Sequence, residues 1–131
     1  MITGDQQTFW SSQVGLHVMM AHRGVLQVEY ARVEYAGQRK RAGRYPLHLH
    51  LLSHCPSCVL RGNAIVESQH GGITVHGTHD ATVEGNVLWN TRGVGIYVED
   101  GNEMNNQIVR NAILCQTFEE CQVRARRPDA C

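Results

Sequence analysis

Three short segments alternate apolar and polar residues in one phase: Leu47 to His50, Ile73 to His76 and Ile96 to Glu99. Successive side chains of a strand point to opposite faces. Each segment would therefore bury its aliphatic residues and turn the others outward. Stacked at the roughly 4.8 Å spacing of neighbouring strands, the segments become rungs of one ladder. His50, His76 and Glu99 then form an outward column, with His48, Thr74 and Tyr97 in a second column beside it.

A second register supports the repeat. Leu60 to Ile65 reappears as Val83 to Leu88 and, more loosely, as Ile108 to Ile113, so Asn63, Asn86 and Asn111 recur in steps of 23 and 25 residues. That period suits one turn of a solenoid. Asparagine at a fixed corner tolerates tight-turn backbone angles, and stacked amides can hydrogen-bond from coil to coil. Extended backwards, the frame aligns Leu16, His17 and Val18 with Leu47, His48 and Leu49, a step of 31 residues. It also aligns Val28 to Val33 with Leu60 to Ile65, with Ala31 at the asparagine corner. The excess length falls in Gly37 to Gly43, read as a loop that bulges from the coil and carries Arg39, Lys40 and Arg41 on a solvated face.

Composition fits this picture. Thirteen glycines, short β-branched runs and no sustained 3.6-residue periodicity argue for an all-β chain. Its 131 residues are the length of a single domain, with no linker-like stretch to divide them. The expected organisation is a lead-in over 1–13, repeats over 14–115 and a polar tail over 116–131. Twelve basic and 12 acidic side chains cancel, giving no electrostatic reason to expect a nucleic acid or an anionic membrane as partner. No stretch approaches the roughly 20 apolar residues of a membrane span, and Met1 to Gly15 lacks the pattern of a secretion signal. A stack of about four coils would leave open sheet edges, which suggests a fragment of a longer β-helix.

Five cysteines leave at least one unpaired within the chain. Cys55 and Cys58 have the spacing of a redox dithiol or half a zinc site, but no second such pair exists. A local disulfide or two turn-packing thiols is the favoured reading.

Three linked motifs then carry a resemblance: Gly43 to His50, Thr74 to His79, and Glu99 to Glu103. Their order and spacing resemble the parallel β-helix region of the cell-migration-inducing and cell-surface hyaluronidases and of fibrocystin-like receptor proteins. The resemblance covers roughly residues 14 to 115. It implies a right-handed parallel β-helix in a longer extracellular or cell-surface chain, with additional domains that include a G8 domain. It also implies one of two roles, hyaluronan depolymerisation or a receptor scaffold without catalysis. Where the hyaluronidase members carry Gly-His and then two aromatics, this chain reads Gly93, Val94, Gly95, Ile96, Tyr97 and Val98, so one histidine is missing.

The outward residues offer two chemistries. His50, His76 and Glu99 could converge on a divalent metal ion, since two imidazoles and a carboxylate can ligate one and leave a position open. Alternatively, His48, His50, His76, Glu99 and Asp100 could supply the general acid and base of glycosidic cleavage. Arg44 could hold the carboxylate of a uronic acid or pair with Glu99 or Asp100. Tyr97 or Tyr45 could stack on a sugar ring, and His79 extends the histidine set. His22 and His70 read as turn residues, and Trp89, in register with Val66 and Glu34, as surface packing. The expected function is therefore a carbohydrate-active β-helix module acting on a polysaccharide of the glycosaminoglycan kind. The alternative is a structural or adhesive segment of a fibrocystin-like receptor.

Overall fold

A computed structural model describes residues 1–114; the polar tail expected over 116–131, with Cys115, Cys121 and Cys131, lies outside the described residues. The chain is a parallel β-solenoid of about four turns. Its strands are β1 (Ile2–Thr3), β2 (Val18–Ala21), β3 (Gln27–Glu29), β4 (Arg32–Ala36), β5 (Leu47–His54), β6 (Val59–Arg61), β7 (Ala64–Ser68), β8 (Ile73–His79), β9 (Thr82–Glu84), β10 (Val87–Thr91), β11 (Ile96–Val98), β12 (Gln107–Val109) and β13 (Ala112–Leu114). Each coil adds one strand to each of three sheets, ordered β2-β5-β8-β11, β3-β6-β9-β12 and β1-β4-β7-β10-β13.

The three rungs stack as the alternation predicts. Leu47 pairs with Ile73, His50 with His76, and Ile73 with Ile96. Leu47, Leu49, Ile73 and Val75 are fully buried. The other sheets supply Val28, Leu60 and Val83 from one face and Val33, Ile65 and Leu88 from the other, so aliphatic side chains fill the interior in columns. Trp89 pairs with Val66 on the outside, as expected. Cys55 and Cys58 form a disulfide at the turn between β5 and β6.

The asparagine column is a hydrogen-bonded ladder. Asn86 Oδ1 accepts from the backbone N–H and the side-chain amide of Asn63, both at 3.0 Å. Asn111 Oδ1 does the same for Asn86 at 2.9 Å. At Ala31 the ladder ends, its backbone N–H donating to Asn63 Oδ1. Turn-angle tolerance is not what asparagine contributes here. The left-handed residue at each corner is the preceding one, Tyr30, Gly62, Gly85 or Arg110. The amides instead satisfy buried backbone groups that no strand reaches.

The first coil corrects the alignment made from the sequence. Val18, not Leu16, pairs with Leu47, and Met19, not His17, stands beside His48. The step is therefore 29 residues. A slide by two leaves the in-and-out alternation of a strand unchanged, so periodicity cannot detect it.

The first residues carry structure of their own. β1 pairs with β4. Helix α1 (Gln6–Ser12) is capped by Asp5, whose side chain accepts from the Thr8 N–H at 2.7 Å. Phe9 of α1 is buried with its ring edge-on to Tyr35. The stretch from Gly37 is likewise no free bulge. Gln38 N–H donates to the Arg44 carbonyl and Arg39 N–H to the Gln13 carbonyl, which ties the segment to itself and to the end of α1, while the Gly43 carbonyl reaches His48 of β5.

Candidate functional site

The folded-back loop determines what becomes of the first outward histidine. His48 points away from the core, but it is only 1% exposed. The outward position does not make His48 a solvent-exposed side chain, because Gly43 and Tyr45 of the preceding loop pack against it. Its Nδ1 lies 3.1 Å from the Gly43 carbonyl oxygen. A carbonyl only accepts, so Nδ1 carries the proton and Nε2 the lone pair. Nε2 is buried with no hydrogen-bond partner among the described residues. Burial pushes the His48 imidazole down to about 4; the Gly43 carbonyl opposes this shift, and His50, His76 and His17 add to it. His48 is therefore neutral at physiological pH.

His50 and His76 sit side by side on β5 and β8, half-buried, with Nδ1 atoms 3.0 Å apart. The His48 and His50 ring centroids are 4.8 Å apart. One ligand nitrogen from each of the three imidazoles lies within 4.8 Å of the others, a set able to hold a metal ion. The structure thus adds His48 to the His50 and His76 pair.

The third rung brings the acids. Glu99 N–H donates to the Val75 carbonyl, extending the pairing of β11 with β8. Glu99 Oε2 lies 3.6 Å from His76 Nδ1, and Asp100 Oδ2 lies 3.2 Å from His76 Nε2. Glu99 Oε2 is buried without a hydrogen-bond partner among the described residues. A cavity of about 370 Å³ opens here, lined by Met19, Gly43 and Arg44 as well as His48, His50, His76 and Glu99.

Glu103 holds this arrangement together, and the sequence reading gave it no role. Its Oε1 accepts from the Gly77 N–H at 3.0 Å and the Asp100 N–H at 3.1 Å, tying the acidic turn to the neighbouring coil. Burial pushes the Glu103 carboxyl up, but the backbone amides of Asp100, Glu103, Gly77 and Gly101 outweigh it and hold the group below its ordinary value. The signal was available, since only three residues separate Glu99 from Glu103 across a glycine turn.

Other candidates fall differently. Arg44 does not pair with Glu99 or Asp100; its Nη1 lies 2.7 Å from His17 Nε2. Burial, and then the Arg44 charge, push the His17 imidazole down, so His17 accepts this bond in its neutral form. Tyr97 is 38% exposed beside Thr74, in the expected column. Tyr45 is buried edge-on against His48, and its ring also packs on His70, giving His70 a contact beyond a turn. His79 does not reach the cavity. Its Nδ1 accepts the Met104 N–H at 2.9 Å, and its ring stands beside His54, which lies 2.5 Å from Asp80. A left-handed Gly77 and a register shift after His50 break the alternation, so Thr78 turns in and His79 faces out three residues beyond His76, past the ridge.

Fold and site together define a class, a β-helix module whose successive coils build a ridge of histidines and carboxylates. Within that class the chain belongs to the CEMIP beta-helix family, which it matches over residues 13–131. It is similar to Fibrocystin-L of Mus musculus, with 40% identity over 86 residues, covering 65% of this chain and 2% of that protein. It is also similar to a G8 domain-containing protein of Dictyostelium discoideum, with 34% identity over 108 residues, covering 82% of this chain and 7% of that one. Communication mutant protein F of the same organism is 29% identical over 109 residues, covering 83% of this chain and 10% of its own length. The chain thus spans a small part of the relatives it matches. No solved structure matches it. Among the described residues, no helix is long and apolar enough to cross a membrane.

Proposed function

We propose that this chain is the carbohydrate-active part of a longer extracellular or cell-surface protein, and that its histidine and carboxylate ridge depolymerises an acidic polysaccharide of the glycosaminoglycan kind. One observation carries the reading: His76 lies between Glu99 and Asp100 at the wall of an open cavity. Glycosidic cleavage needs one group to protonate the leaving oxygen and another to take a proton from the attacking water. Glu99, the more enclosed and with Oε2 buried without a partner among the described residues, suits the first role; Asp100, 41% exposed and in contact with His76, suits the second. His50 and His76 orient and share these protons, and His48 fixes the floor. Arg44, exposed at the cavity, meets a uronate carboxylate, and Tyr97 offers its ring to a sugar face. His79, remote from the cavity, has no part in this reading.

The test is size-exclusion chromatography of hyaluronan and chondroitin after incubation with the chain. Chain shortening is expected with the native sequence and lost in His76→Ala and Asp100→Asn that remain folded. Shortening that persists in both variants overturns the proposal. A second reading, adhesion without catalysis, draws on the stretch Gly93 to Val98, which lacks the histidine that the hyaluronidase members carry before the Glu-Asp-Gly element. It predicts saturable glycan binding with no shortening by the native chain.

A further inference from the structure

We propose that His48, His50 and His76 form a binding site for one divalent transition-metal ion of the zinc class, with Glu99 beside its open position.

His48 is the innermost of the three imidazoles. A buried nitrogen without a partner is costly, and folded proteins rarely retain one without a reason. His48 Nε2 is such an atom, and it belongs to an imidazole whose other nitrogen is fixed by the Gly43 carbonyl. Histidines that ligate metals use this arrangement, one nitrogen donating to a carbonyl and the other presenting its lone pair to the ion. The neighbours complete the set. Two imidazole nitrogens 3.0 Å apart, on His50 and His76, approach the roughly 3.3 Å separation implied by tetrahedral ligands at about 2.0–2.1 Å from zinc. The third lies within the same 4.8 Å group. Three such ligands and one open position form a common catalytic zinc geometry.

Ligand type decides the metal. Imidazole nitrogens favour zinc, copper, nickel and iron, whereas calcium and magnesium take oxygen. Charge agrees, since Glu99 and Asp100 both face His76. Arg44 is the opposing cation at the cavity, and its Nη1 is directed to His17. The backbone also contributes. His48 and His50 are fixed on one strand and His76 on the next, so the site needs no ordering of a loop beyond the one already folded over His48.

The proposal is independent of glycan cleavage, because an ion bound here could serve a scaffold or an enzyme. The experiment uses the 131-residue chain, stripped with chelator and alkylated with iodoacetamide so that free thiols cannot compete. Calorimetric titrations with Zn²⁺, Ca²⁺ and Mg²⁺ are followed by the visible spectrum of the Co²⁺ form. Zinc should bind at one equivalent per chain, calcium and magnesium should give no saturable heat, and cobalt should show the strong bands of a four- or five-coordinate site. His50→Ala and His76→Ala, at positions that are not fully buried, should each weaken zinc at least tenfold with the circular dichroism spectrum unchanged. His54→Ala and His79→Ala should leave binding as it was. Absence of saturable zinc binding, or binding lost in the second pair of variants and kept in the first, overturns the site. Zinc binding without polysaccharide shortening would uphold it and remove the enzymatic reading alone.

Discussion

His48 donates from Nδ1 to the carbonyl of Gly43, five residues earlier, across the turn that carries Arg44, Tyr45 and Pro46. This bond makes the loop the lid of the ridge and fixes which nitrogen of His48 faces His50 and His76.

Burial of His48 makes stability pH-dependent in the metal-free chain. The folded value of about 4 lies below the ordinary 6.5 of an unfolded histidine. The unfolded state therefore takes up protons first, and stability present above pH 6.5 is lost as pH falls towards 4. The loss attributable to His48 is at most about 3 kcal/mol. Urea midpoints at pH 7 and pH 4.5, measured with chelator, should differ more in the native sequence than in His48→Gln. Equal differences would show that His48 titrates freely.

Asn86→Ala should cost about 3 kcal/mol, because it removes both acceptor bonds to Asn63 and leaves buried partners such as the Leu60 carbonyl unpaired. Asn111→Ala, on the last described coil, should cost less. The ratio of their urea midpoints tests whether the ladder carries load along its length.

Gly72 precedes β8, and a Cβ there would lie 2.3 Å from Leu88 Cδ2 and 2.5 Å from the Gly95 carbonyl oxygen. The backbone contact cannot be relieved by a side-chain rotation. Gly72→Ala should therefore push two rungs apart and lower stability by about 1–3 kcal/mol. A thermal midpoint equal to that of the native sequence would mean that the rungs stand further apart than described.

Glu103→Ala should release the acidic turn, costing about 1–3 kcal/mol through the unpaired Gly77 and Asp100 amides. Glu103→Gln keeps an acceptor oxygen and should recover part of this. Hydrogen exchange at the Gly77 and Asp100 amides reads the effect directly; unchanged protection in Glu103→Ala would refute the role.

Much of the fold was legible because burial imposes a period of two within each strand and a near-constant step between coils. Leu47, Ile73 and Ile96 announce their stacking, and Asn63 and Asn86 announce a corner. The rest depends on information that alternation does not carry. The slide from Leu16 to Val18 preserves phase. Helix α1 is too short for its period to stand out, although Asp5 is a legible cap. Burial of His48 follows from a loop whose charges suggested solvent, and the outward turn of His79, out of phase with His76, follows from the left-handed turn at Gly77. Outward direction, in other words, was readable from the sequence, whereas exposure was set by the loop that leads into the strand.

The central claim is that successive coils bring imidazoles from β5 and β8 side by side. The most direct measurement is oxidative cross-linking of the double variant His50→Cys with His76→Cys, mapped by peptide mass spectrometry. Paired residues on neighbouring strands lie within the roughly 4.4–6.8 Å Cα separation that a disulfide spans. The account predicts a peptide joining positions 50 and 76 as the main product. A joined pair at positions 50 and 79 in the corresponding His50→Cys with His79→Cys variant, with none at 50 and 76, would contradict it.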